Sequence, residues 1–283
     1  MSESRTLRGN MGCEAVTTTG RTSTKTNRSP PSRYLVRELD RNPLKTPPPR
    51  CAVIGAGRLG HALAAALTRA GRHVEGPLGR GANPHTDIVL LCVPDQEIQA
   101  AAQALTPLNA QFVGHCSGAT TLEPLAGREA FSLHPLMTVP SDEAGAPFAG
   151  AGCAIAGATE RALAVAQGLA EALHMRPVHV ADEDRAAYHA AASIAANFLV
   201  TLEGAAERLA ATAGVPRELL VPLARAALEN WAANGAEQAL TGPVARGDEA
   251  TIARQREAIE QRAPDLLDAF DALVAASRVV AAS

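Results

Sequence analysis

From Cys51 to Ala181 short apolar runs alternate with longer segments whose apolar positions recur every three or four residues. From Asp182 onward only the longer period remains. Short unbroken runs mark buried strands and the longer period marks helices. Ala52-Val53-Ile54 meets a glycine-rich turn, Gly55-Ala56-Gly57-Arg58-Leu59-Gly60, and passes into an alanine- and leucine-rich helix, His61 to Ala70. A second strand is expected at His73 to Gly76, ending near Gly79-Arg80-Gly81. Asp87 to Asp95 contains a continuous apolar run, the sign of a parallel strand covered on both faces. A helix follows at Gln96 to Leu105, then a strand at Gln111 to His115, ending in Cys116-Ser117-Gly118-Ala119. Phe131-Ser132-Leu133 is expected as a strand that ends in His134-Pro135-Leu136. Cys153 to Gly157 and Pro177 to Ala181 are the last strands, flanking a helix at Glu160 to His174. Helices then occupy Asp184 to Ala213, Pro216 to Ala233 and Glu249 to Arg278, with breaks at Gly214-Val215-Pro216 and at Gly242 to Asp248. This order predicts an α/β domain with a doubly wound, mainly parallel sheet over residues 50–182, and an all-helical domain over 183–283.

Composition changes the picture at the N-terminus. Residues 1–49 are rich in Ser, Thr, Arg and Pro and cannot bury enough surface to offset chain entropy, so a disordered tail is expected. Residues 1–50 carry net charge +6 and the remainder −9, within a formal −3. An acidic body does not present the footprint of a nucleic-acid binder. Only 3% of residues are aromatic, so the core must be built from Ala, Leu and Val. The only two lysines, Lys25 and Lys45, precede the body, which rules out Schiff-base and lysine-acid chemistry within it. Five cysteines without a CxxC pair point to a reducing cytoplasm. No membrane span or signal-peptide core is visible, and the histidine spacings do not predict a metal site.

The glycine turn carries the first candidate chemistry. In a strand–turn–helix context GxGxxG is a dinucleotide-binding signal: Gly55 allows the tight turn, Gly57 admits a pyrophosphate, and Gly60 lets helix and strand pack closely. Ala56, Arg58 and Leu59 complete the loop, whose helix start offers unpaired N–H groups to phosphate. An acid after the second strand would take a ribose 2′-OH, an arginine a 2′-phosphate. Glu75 and Arg80 both fit by spacing; the strand-end position of Arg80 favours NADP, with NAD as the alternative. Val93, Pro94 and Asp95 would lie along the ribose.

Ligands in open α/β sheets bind beyond the carboxyl ends of the strands, which singles out Ser117, Gly118 and His134. On the long helix His189, Ser193 and Asn197 span about 80° of one face. They either satisfy neighbouring loops or orient a substrate. In Gly242 to Asp248, Arg246 either pairs with Asp248 on the surface or holds an anionic substrate group.

With these residues assembled, the chain resembles a bacterial family that joins a Rossmann-like domain to domain of unknown function 2520. The matching stretches are VIGAGRLG, LLCVPD, HCSGA, SLHPL, YHAAASIAANFL, ENWAANG and LTGPVARGD, spread from about residue 50 to about residue 262. That family is similar to pyrroline-5-carboxylate reductase, to 6-phosphogluconate and 3-hydroxyisobutyrate dehydrogenases and to prephenate dehydrogenase. The resemblance implies an NAD(P)-binding domain followed by a helical domain of the 6-phosphogluconate-dehydrogenase type that pairs with its copy. His134-Pro135 resembles the substrate-contacting histidine-proline of prephenate dehydrogenases. Ser117-Gly118 resembles the substrate loop of hydroxyacid dehydrogenases. Asn197 resembles the asparagine of their Lys-x-x-x-Asn helix, with Ser193 in the lysine's place. The expected activity is hydride transfer between NADP and a small, anionic carbonyl, hydroxy-acid or imine substrate, a ketopantoate-type 2-oxoacid being one variant. In that scheme His134 acts as proton donor or carbonyl polariser, while Ser117, His189 and Asn197 orient the substrate. The absent lysine leaves a second expectation, a non-catalytic NADP-binding regulator.

Overall fold

The computed structural model describes residues 49–106, 109–140 and 148–283. The expected tail, up to residue 48, lies outside the described residues. Seven strands form one sheet in the order β2-β1-β3-β4-β5-β6-β7. They are β1 (Cys51–Ile54), β2 (Val74–Leu78), β3 (Thr86–Leu91), β4 (Ala110–His115), β5 (Glu129–Leu136), β6 (Gly152–Gly157) and β7 (Arg176–His179). All neighbours pair in parallel except β5 and β6.

Alternation explains why the central strands read as unbroken apolar runs. Val53 and Leu90 point to one face, into a core with Leu63 and Leu67 of helix α1 (Arg58–Arg69) and Ala166 and Leu169 of helix α3 (Glu160–Ala172). Ile54 and Leu91 point to the other, against Ile98 of the short helix α2 (Ile98–Gln103) and Leu105. A strand apolar on both sides is stable only when helices cover both. Thr159 starts α3 by accepting from the Ala162 N–H at 3.1 Å, an N-cap of the ordinary kind.

Past β7 the chain is helical. Helix α4 (Arg185–Ser193) leads through a π-helical stretch, Ile194–Phe198, into α5 (Leu199–Ala211). Helices α6 (Arg217–Ala239), α7 (Glu249–Arg262) and α8 (Leu267–Ala281) follow. Helix α6 is interrupted at Gly235, where φ is 77°, just past the expected end at Ala233. Arg256 of α7 grips Asp271 of α8 through both carboxylate oxygens at 3.0–3.1 Å. Among the described residues no helix is long and apolar enough to cross a membrane.

Two local expectations are corrected. The strand at Phe131 does not stop at Leu133: β5 runs on to Leu136, so His134 lies within a strand, paired with Ala154 of β6. Strand β4 stops pairing at Ser132. Among the described residues no strand pairs with that edge of β5 from Leu133 onward, an edge position of the kind where proline is tolerated. The helix expected over Asp184 to Ala213 follows one path but is not a regular α-helix, because Asn197 sits in the π-helical stretch.

Candidate functional site

The turn between β1 and α1 is shaped by its glycines. Gly55 has φ 116°, in the left-handed region, and a Cβ there would overlap the Cys92 carbonyl. A Cβ on Gly60 would overlap the Gly55 carbonyl, so helix and turn touch backbone to backbone. Gly57 is different: a Cβ there meets nothing within 4 Å. Gly57 is also the N-cap of α1, has no side-chain cap, and precedes a first turn without an acidic residue. Unpaired N–H groups and the positive end of the helix dipole therefore face open space. The adjoining cavity of about 470 Å³ is lined by Gly57, Arg58, Leu59, Val93, Pro94 and Asp95, among others. An anionic, backbone-bound group such as a dinucleotide pyrophosphate fits this cradle.

A second cavity, about 820 Å³, lies beside the first and shares Arg58 and Val139 with it. Its wall brings together His134 of β5 with Tyr188, His189 and Ser193 of α4 and Asn197 of the π-helical stretch. His134 Nδ1 lies 2.8 Å from the Tyr188 hydroxyl. The His134 and His189 rings stand 6.2 Å apart, edge to face. Between them sits Gly118: a Cβ there would come within 2.8 Å of both rings. A larger residue at 118 would have to displace one of the two rings.

Burial, followed by the neighbouring His189 and Arg185, pushes His134 down to about 4. Burial pushes the Tyr188 phenol up to about 12. At neutral pH both are therefore uncharged. The Tyr188 hydroxyl can donate to Nδ1 of the neutral ring, and in that tautomer His134 carries its proton on Nε2, beside Gly118.

Three groups to which the sequence reading gave no role in the site hold this geometry, two of them buried and Tyr188 partly exposed. His115, fully buried, accepts the Ser117 N–H on Nδ1 at 3.2 Å and donates from Nε2 to the Thr121 carbonyl at 3.0 Å. Burial is the main cause that lowers it to about 4. Arg185, only 1% exposed, pairs with Asp182 at 3.0 Å and donates to the Ser117 carbonyl at 3.5 Å and to the Ser132 hydroxyl. Tyr188 is the third. Its neighbour His189 was a visible signal, but the contact with His134 spans 54 positions of sequence.

The remaining expected residues are placed as follows. Ser117 lines the cavity at the glycine turn and not the histidine-lined one. Its hydroxyl donates to Asp95 at 2.8 Å and accepts from the N–H groups of Ala119 and Thr120. Arg80, just past β2, is exposed and paired with Glu97 at 2.5 Å. Glu75 is exposed on the edge strand β2. Arg246 is exposed in the turn before α7 and is not among the residues lining either cavity. Its expected partner Asp248 instead caps α7, accepting from the Thr251 N–H at 3.1 Å.

The fold is shared with solved structures. A candidate NADP oxidoreductase from Bacteroides fragilis superposes with a TM-score of 0.70 at 19% identity, over 81% of this chain and 98% of its own. A protein from Thermotoga maritima reaches 0.67 at 26% identity, over 82% and 98%. An imine reductase from Streptomyces aurantiacus reaches 0.54 at 16% identity, over 81% and 95%. These likenesses establish a Rossmann-like sheet followed by a helical region. No curated protein matches the chain in sequence. Residues 151–277, from the start of β6 to within α8, match the family model described as Domain of unknown function (DUF2520).

Proposed function

We propose that the chain is an NADP-dependent oxidoreductase acting on a small carbonyl, hydroxy-acid or imine substrate, with residues 50–182 binding the cofactor and 183–283 completing the substrate site. One observation carries this reading: the cavity at the glycine turn adjoins, through Arg58 and Val139, a larger cavity walled by His134, Tyr188, His189, Ser193 and Asn197. The names of the structural neighbours, an NADP oxidoreductase and an imine reductase among them, agree with it.

The cofactor, when bound, supplies the hydride equivalent. The chain supplies the rest. Backbone N–H groups at Gly57 to Gly60 hold the pyrophosphate, and Val93 to Asp95 flank the ribose, with Asp95 fixed by Ser117. Arg80 takes the 2′-phosphate by exchanging Glu97 for it. His134, neutral and backed by Tyr188, donates a hydrogen bond from Nε2 to the reacting oxygen or nitrogen. Tyr188 keeps the tautomer that makes this possible. His189, Ser193 and Asn197 orient the substrate beside Gly118. Among the described residues, Arg58 is the one permanently charged side chain lining the larger cavity. It takes the anionic end that the sequence reading had given to Arg246.

The cofactor assignment is tested by calorimetry. Arg80→Ala should weaken NADPH binding by about tenfold or more and leave NADH nearly unchanged, since only NADPH makes the charge-assisted contact. Equal losses, or a native preference for NADH, would move the assignment to Glu75. Activity is tested by screening small oxo-acids and imines for NADPH oxidation. Tight NADPH binding with no turnover across that screen would favour the regulator.

We further propose a homodimer through residues 183–283. Helices α5 and α6 bury none of their residues, while Phe198, Val200, Leu219, Leu223 and Trp231 stand exposed. Helices this apolar on the outside gain from pairing, and closed two-fold dimers are the commonest outcome. Light scattering at micromolar concentration should report twice the chain mass, before and after removal of residues 1–49. A monomeric mass refutes it.

A further inference from the structure

The cavity at the glycine turn contains two thiols that the proposed reaction does not use. Cys92 follows β3 and Cys116 follows β4. The parallel register that pairs Leu91 with His115 sets them side by side, with their Sγ atoms 3.6 Å apart. Both line the cavity together with Gly57, Asp95 and Ser117. Neighbouring strands lie about 4.8 Å apart, and disulfides span Cα separations of about 4.4–6.8 Å. Side-chain rotation can therefore join the two sulfurs without separating the strands. The other described cysteines are unlike this pair. Cys51 and Cys153 are fully buried, neither lines the cavity, and burial pushes their thiols up to about 11 and about 12.

We propose that Cys92 and Cys116 are an oxidisable dithiol in the wall of the dinucleotide cavity, closed to a disulfide by peroxide when the cavity is empty and shielded when it is filled. Only the shielding rests on reading the cavity as the cofactor site. Cys92 is half-buried, whereas Cys116 lies behind it with 6% exposure. The contact with Cys92, and burial, hold the Cys116 thiol well above its ordinary range. Cys92 is thus the member that a peroxide meets first. Its thiolate attacks one peroxide oxygen, the O–O bond breaks, and water leaves with the incoming proton, giving a sulfenic acid. The Cys116 sulfur then attacks the Cys92 sulfur, the S–O bond breaks, and a second water leaves. Two thiols are oxidised by two electrons, and one hydrogen peroxide is reduced to two waters.

The disulfide would act on the turn through contacts already described. The Cys92 carbonyl packs where a Cβ of Gly55 would be, and the Cys92 Cβ lies 3.5 Å from the place of a Gly60 Cβ. Drawing Cys92 toward Cys116 shifts the surface on which the glycine turn rests. Nucleotide binding should weaken in the oxidised protein.

The test uses the full chain and hydrogen peroxide, followed by alkylation, peptide mapping and NADPH calorimetry. A Cys92–Cys116 linked peptide is expected, with weakened NADPH binding that dithiothreitol restores. NADPH at about 100 times its Kd should slow the linkage about 100-fold, because only the empty fraction reacts. In Cys116→Ser, Cys92 should proceed to the sulfinic acid instead. Unmodified thiols at 92 and 116, or links formed through Cys13 or Cys153 in their place, overturn the dithiol. A Cys92–Cys116 link that forms equally fast with and without NADPH, in protein that binds NADPH, overturns the shielding. Linkage in protein that binds no NADPH would instead support the dithiol and remove the cofactor reading.

Discussion

Replacing His134 with asparagine should leave NADPH affinity nearly unchanged and lower turnover by about 10²- to 10⁴-fold, the usual contribution of a positioned proton donor. Asparagine is shorter, and it cannot both accept from the Tyr188 hydroxyl at 2.8 Å and reach the place of Nε2. Tyr188→Phe removes only the group that fixes the tautomer. It should cost about tenfold, the worth of one ordinary hydrogen bond. Because the two residues act as a unit, the double variant should be little worse than His134→Asn alone. The pH profile adds an independent reading. With His134 held down to about 4, turnover should not fall through its titration between pH 6 and 8, as it would if an imidazolium of ordinary pKa were the acid. Full turnover in a His134→Asn protein that merely melts earlier would make His134 structural.

Lowering the pH from 7.5 to 4.5 should destabilise the fold steeply. His115 and His134 titrate near about 4 in the folded chain and near 6.5 when unfolded. Between those values the unfolded chain binds protons that the folded chain does not. Stability is therefore fully present above pH 6.5, is lost as pH falls toward 4, and changes no further through these groups below that. At about 1.4 kcal/mol per tenfold change in proton affinity, each histidine should contribute about 2–3 kcal/mol. Urea melts at pH 7.5, 6.5, 5.5 and 4.5 measure this. His115→Asn, which has no proton to gain, should flatten the slope by about half. A stability that stays level across the range in the parent chain would mean that neither histidine is held neutral by burial.

These two histidines show where reading the sequence succeeds and where it stops. His134 was singled out because it follows an apolar strand, and it does wall the larger cavity. Its location inside β5 depends on β6, whose residues lie some twenty positions away in an antiparallel partner. His115 was read only as the end of a strand, yet with Arg185 it anchors the Ser117 turn. Nothing in the local pattern around Arg185 announces a guanidinium with 1% exposure. Charged residues are almost always at the surface, and only its assembled partners make this one tolerable.

What the sequence determined by itself is what depends on neighbours along the chain. The unbroken run at β3 needs helices on both faces because its own side chains alternate. The turn from Gly55 to Gly60 is written in glycines, of which Gly55 and Gly60 have backbone contacts too close for any other residue type, while Gly57 leaves open space. The end of the first part of α6 near Gly235 likewise follows from local chemistry. What only the tertiary structure decided involves pairs far apart in sequence. Tyr188 meets His134, Cys92 meets Cys116, Arg80 meets Glu97, and Arg246 stands outside the cavity it was expected to serve. The protonation of the histidines belongs with these. Proton affinity is set by the solvent a fold removes and the charges it brings near, and both are properties of the assembled chain rather than of any stretch of it.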